Sequence, residues 1–174
     1  MPGRGKPVAG SDARARVLIA LTESSPVNEL WEAALARLGQ SGADLVALFL
    51  AEDHWQRAAS LPFTREIPRL GGADVEFTLQ RARQLHDEAI ERARRVVAEL
   101  ATEAKLSHAF EVLRESDRTK LAELLSAAGS VLIAPSFIIK RPLYAELQKL
   151  DCRIELIEVS RSASAKVTAK GKPR

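Results

Sequence analysis

Val131-Leu132-Ile133-Ala134-Pro135-Ser136 decides the fold, together with the residues that follow it. Four apolar or small residues run together, Pro-Ser breaks them, and Lys140-Arg141-Pro142 opens a helical pattern. This reads as a central parallel strand, a loop at its carboxyl end and a helix start. In an open α/β sheet, such a loop is where a ligand sits. Two more continuous apolar runs have the same character: Val17-Leu18-Ile19-Ala20-Leu21 and Leu45-Val46-Ala47-Leu48-Phe49-Leu50. Strands covered on both faces read this way.

Working outward, Thr22-Glu23-Ser24-Ser25 breaks the first run, and Pro26 fits a first helical position with Ser25 as N-cap. Val27, Leu30, Trp31, Ala34, Leu35 and Leu38 then fall on one helical face, with Gly39 and Gly42 expected to end the helix. Trp31 reads as core. Residues 51–74 carry Pro62, Pro68, Gly71 and Gly72, which predicts a long loop with room for one short helix. A long amphipathic helix is expected from about Val75 to Ala104, with His86 on its apolar stripe as a hydrogen-bonded helix-edge residue. His108–Arg114 alternates and reads as a less buried strand. Asp117 is placed to cap a helix closed by Gly129, a short helix is expected over Pro142–Leu150, and Cys152–Val159 is the last strand.

These elements predict a single doubly wound α/β domain over 16–160. It has a five-stranded, mostly parallel sheet in the order 3-2-1-4-5, with helices on both faces. The two strands that carry charge, near Phe110 and Ile154, belong at the edges. The switch point lies between the first and fourth strands, at Thr22–Ser25 and Pro135–Arg141.

The charge is unevenly spread. Residues 1–16 carry net +3, residues 161–174 net +5, and the domain between them net −5, within a total of +3. The arms 1–15 and 161–174 read as disordered and basic. A nucleic-acid-binding domain carries its positive charge on the folded surface, so only weak, salt-sensitive contacts of the tails are expected. One cysteine, Cys152, allows no internal disulfide and fits a reducing compartment. No apolar run reaches transmembrane length, and a cytoplasmic location is expected.

The same stretches resemble the universal stress protein family over about Arg16 to Ser160. The first strand leads into a Ser-containing turn and an Ala/Leu-rich helix. Ala43-Asp44-Leu45-Val46-Ala47-Leu48 supplies the second strand, and a long Ala/Arg/Glu helix follows. Leu121-Ala122-Glu123-Leu124-Leu125 leads into Val131–Ala134, and Cys152–Val159 closes the domain. The resemblance implies a homodimer paired through the edge strand 152–159. ATP-binding members follow the fourth strand with Gly-x-x-Gly and then a Gly-Ser or Gly-Thr pair, whose backbone amides close around phosphates. Ala134 to Cys152 contains no glycine, and Thr22 stands where the family usually has an acid. The chain therefore resembles members that do not bind ATP, and no cofactor is expected.

The remaining candidates for a small-anion site are Thr22, Ser24, Ser136, Lys140 and Arg141. No nucleophile stands with a base and an orienting group: Ser136 lacks a Gly-x-Ser-x-Gly elbow, Cys152 has no nearby His, and His54, His86 and His108 share no motif. Glu52-Asp53-His54 reads as a solvated loop and no metal site is expected. The expected function is that of a stress-associated regulatory or interaction protein without ATP and without enzymatic activity. The alternatives are a small-ligand or nucleotide sensor using the switch-point cleft and, further off, a weak nucleotide hydrolase.

Overall fold

The computed structural model describes residues 14–159 except 42, 53, 68–69, 74, 115–116 and 151. The expected basic arms lie almost wholly outside the described residues. Five parallel strands form the main sheet: β1 (Arg16–Leu21), β2 (Asp44–Ala51), β5 (His108–Arg114), β6 (Val131–Pro135) and β7 (Arg153–Ile157). Their order is β5-β2-β1-β6-β7, which is the 3-2-1-4-5 arrangement read from the sequence. The charged strands β5 and β7 are its edges.

The continuous apolar runs are explained by a core on each face. Successive side chains of a strand point to opposite sides. Ile19, Ala47, Phe49 and Ile133 therefore meet Leu30, Trp31 and Ala34 of α1 (Val27–Ser41) and Ala89, Ala93 and Val97 of α3 (Leu79–Glu103). Leu18, Leu48, Leu50 and Leu132 meet Leu121 and Leu125 of α4 (Arg118–Leu125) and Leu147 of α5 (Pro142–Leu147). Trp31 is a core residue, as expected.

Several local expectations are corrected. Ser25 does not cap α1: its hydroxyl turns back and accepts from the Thr22 amide at 2.7 Å, while the Pro26 carbonyl accepts the first helical bond, from Leu30. Helix α1 runs through Gly39 to Ser41; Gly42 lies outside the described residues. Asp117 stands at the N-cap of α4, as expected, but its carboxylate accepts from the Arg114 amide at 3.0 Å and not from an amide of the helix. The last short helix stops at Leu147 rather than Leu150, and a 3₁₀ turn over Ser136–Lys140 precedes it.

The largest correction concerns residues 51–78. They hold α2 (His54–Ala59) and an antiparallel hairpin of β3 (Arg65–Glu66) and β4 (Val75–Glu76). Val75 is therefore in a strand, and α3 starts four residues later. Thr78 sets that start, its hydroxyl accepting from the Arg81 amide at 3.2 Å. Arg81 also grips the hairpin, donating to both oxygens of Glu66 at 2.9 and 3.0 Å.

At its other end, α3 closes with two bonds of a Schellman motif: Lys105 N–H to Thr102 O at 3.1 Å and Leu106 N–H to Ala101 O at 2.9 Å. The residue in the left-handed conformation is Lys105, at φ 54°, where glycine is usual. Lys105→Gly should raise stability by about 0.5–1 kcal/mol in urea denaturation, because the lysine Cβ is strained there.

The hydrogen bond from Arg81 holds the Glu66 carboxyl below the usual carboxylate range; lost hydration opposes it, and the Arg81 charge adds a lesser lowering effect. A lowered folded-state value means the contribution is complete above the ordinary carboxylate range and disappears as pH falls through the lowered value. Protection of the Phe77 amide, which donates to Thr64 O at 3.1 Å within the hairpin, should therefore fall in acid. In Glu66→Gln that fall should be absent, as measured by hydrogen exchange corrected for the intrinsic rate.

Candidate functional site

The switch point lies at the carboxyl ends of β1 and β6, which are neighbours in the sheet. Thr22 directly follows β1 and is buried. Its amide and hydroxyl both turn to Ser25, the hydroxyls lying 3.0 Å apart, and Ser25 N–H closes the turn on Thr22 O at 3.2 Å. Thr22 and Ser25 thus spend these groups on each other, which leaves them less available to a ligand.

Arg141 sits between the 3₁₀ turn and α5, where Pro142 takes the first helical position. Its guanidinium reaches back across the sheet end to form an ion pair with Glu52, just beyond β2. It also lies over the Phe137 ring, 5.9 Å from the centroid. Strands β2 and β6 flank β1, so their ends are two strand spacings apart, roughly 10 Å. Two long side chains of opposite charge span that gap. Both are partly buried, with side-chain exposures of 31% and 18%, where an ion pair is less screened than on the open surface.

Helix α2 closes the other side. Trp55 Nε1 donates to the Glu23 carboxylate at 2.7–2.8 Å, joining α2 to the loop after β1. The Trp55 ring packs against His54 and Phe77, with centroids 4.7 and 5.8 Å away. His54 lies between two carboxylates, Nδ1 3.2 Å from Glu52 and Nε2 3.7 Å from Glu23. The Nδ1 contact falls outside hydrogen-bond geometry. Glu52 and helix α2 thus lie at the end of the sheet.

What remains open is a cavity of about 70 Å³, lined by Thr22, Glu52, Arg57, Ile138 and Arg141 among others. This holds a few water molecules, whereas small-molecule sites run to roughly 300–1,000 Å³. Of the five sequence candidates, Thr22 and Arg141 meet at this cavity. Ser136 lies elsewhere, donating to Glu158 at 3.4 Å. Ser24 and Lys140 are exposed and do not line it. Sequence reading missed Glu23, Glu52 and Trp55 as partners. The available signal was opposite charge in the segments that follow two strands flanking a third, Glu52 after β2 and Arg141 past the turn after β6. Among the described residues, no group of three His, Cys, Asp or Glu stands together as metal ligands; Asp53 lies outside them. Nor is any described helix long and apolar enough to cross a membrane.

The Glu52–Arg141 pair is testable by a double-mutant cycle with Glu52→Gln and Arg141→Met. A coupling of about 1–2 kcal/mol is expected, between the values for exposed and buried pairs. A coupling near zero in urea denaturation would show that the bridge does not hold the crevice closed.

No protein-family model matches this chain, and no curated protein does. Among solved structures, it is similar to a protein from the universal stress protein family of Burkholderia pseudomallei. The two superpose with a TM-score of 0.50 at 16% identity, over 86% of this chain and 99% of the other. At that identity the likeness is one of fold.

Proposed function

We propose that this chain is a regulatory or interaction protein of universal stress protein type that works without bound ATP. The observation that carries this reading is the Glu52–Arg141 bridge over the switch point. In a phosphate-binding version of such a crevice, backbone amides freed by glycine face the phosphates. Here the stretch from Ala134 to Cys152 has no glycine. Of the two arginines that line the crevice, Arg57 and Arg141, the one beside the switch point, Arg141, is held by the Glu52 carboxylate, and the space left is about 70 Å³. A triphosphate would have to displace Glu52 from Arg141 and then face that carboxylate.

Action through partners suits the edge of the sheet. Strand β7 pairs with β6 on one side, and no described strand covers its other side. Leu156 is 38% exposed there. We take this strand, within 152–159, as the surface through which two copies pair.

Two measurements on the full chain test the reading. Sedimentation should give the mass of a dimer that Leu156→Lys shifts toward monomer. ATP titrated by calorimetry, after removal of carried-over ligand, should give no binding tighter than about 100 μM, the equivalent of roughly 5.5 kcal/mol. Tighter ATP binding that Arg141→Met abolishes would replace this reading with a nucleotide sensor using the same crevice.

A further inference from the structure

A second cavity lies on the α3 side of the same sheet end, beyond β2. It measures about 440 Å³ and is lined by Ala51, Gln56, Arg83, His86, Asp87 and Arg114. Four elements converge on it. Ala51 and Arg114 are register partners at the carboxyl ends of β2 and β5. Gln56 comes from α2. Arg83, His86 and Asp87 come from α3 at spacings that share one face.

Two atoms here lack an explanation within the fold. Gln56 Oε1 and His86 Nδ1 are both shielded from solvent, and neither has a hydrogen-bond partner among the described residues. Leaving such atoms unpaired is costly. One water could satisfy them; Arg83 of α3 and Arg114 of β5 add two guanidinium groups to the same lining. Among the described residues, neither Arg83 nor Arg114 forms a side-chain ion pair, unlike Arg81 and Arg94 on the same helix.

We propose that this cavity binds a small oxyanion-bearing metabolite, a phosphate ester or carboxylate that also carries a hydrogen-bond donor. The oxyanion lies between Arg83 and Arg114, whose planar forks suit it. The donor meets Gln56 Oε1. Asp87 stands in the same wall, so the site disfavours a bare multiply charged anion and favours a ligand whose donor faces that carboxylate. The site is separate from the switch-point crevice: Ala51 is the one residue lining both.

The probes are glycerol 3-phosphate, inorganic phosphate and glycerol, titrated by calorimetry into the full chain at low salt. Glycerol 3-phosphate should bind with a Kd below about 1 mM, inorganic phosphate more weakly, and neutral glycerol not at all. Arg83→Gln and Arg114→Gln should each weaken glycerol 3-phosphate at least about tenfold, the loss expected for a charge-assisted contact. Both positions are exposed, so the variants should keep their melting transitions. Gln56→Glu should weaken binding as well, by adding a like charge from a third element. Arg141→Met and Lys140→Gln should leave it unchanged, which separates this site from the switch point and from general attraction to cations. Absence of heat with both anions would overturn the proposal, and so would equal weakening by Lys140→Gln.

Discussion

Burial of the parallel sheet on both faces is the constraint from which the rest follows. A parallel strand needs a crossover to reach its neighbour, and each crossover helix covers one face. Strands β1, β2 and β6 therefore have no solvent side, and every residue from Val17 to Leu21 is buried. Alternate side chains of one strand serve different cores, so a one-residue slip would exchange the two cores at once. The register Val17↔Leu45 and Val17↔Val131 is locked by both faces together. That rigidity fixes where the three strand ends stand, and so which loop residues can meet above them.

Above those ends, charge and aromatic contacts take the place of exposed backbone donors. The turn after β1 closes on itself through Thr22 and Ser25. Glu52 and Arg141 join the two strands on either side, and Trp55 ties α2 to Glu23. Each contact uses a group that a ligand would otherwise engage. Residues that look like an anion site in isolation, Thr22 and Arg141 above all, are in the folded chain bound to other parts of it. A cation near a helix start points to an anion only while it has no carboxylate opposite.

The strands were legible because double-sided burial leaves an uninterrupted apolar run, and the edges because β5 and β7 carry Glu111, Arg153 and Glu155. Helix ends were less so. Ser25 and Asp117 are good capping residues, yet each hydrogen-bonds an amide N-terminal to itself, a local alternative open to short polar side chains. Gly39 is tolerated inside α1 because tertiary packing of Leu30, Trp31 and Ala34 outweighs about 1 kcal/mol of propensity. The hairpin was hidden because strands of two residues have no period to detect. What defines it is the distant grip of Arg81 on Glu66. The site was partly hidden for the same reason: Glu23 and Trp55 are 32 residues apart in the chain, and no local pattern links them.

The two cavities at the sheet end differ in a way that follows from topology. At the switch point, loops from β1 and β6 diverge to opposite faces, and one Glu–Arg pair spans the end of β1 from β2 to the segment after β6. Beyond β2, the sheet ends at the edge strand β5, and α2 lies over α3 with no further strand to supply a partner. Polar groups on that wall, Gln56 and His86 among them, are brought in by helices packed for other reasons. A fold that closes its usual crevice with its own side chains thus leaves unpaired hydrogen-bonding capacity one strand away, where the sheet runs out of neighbours.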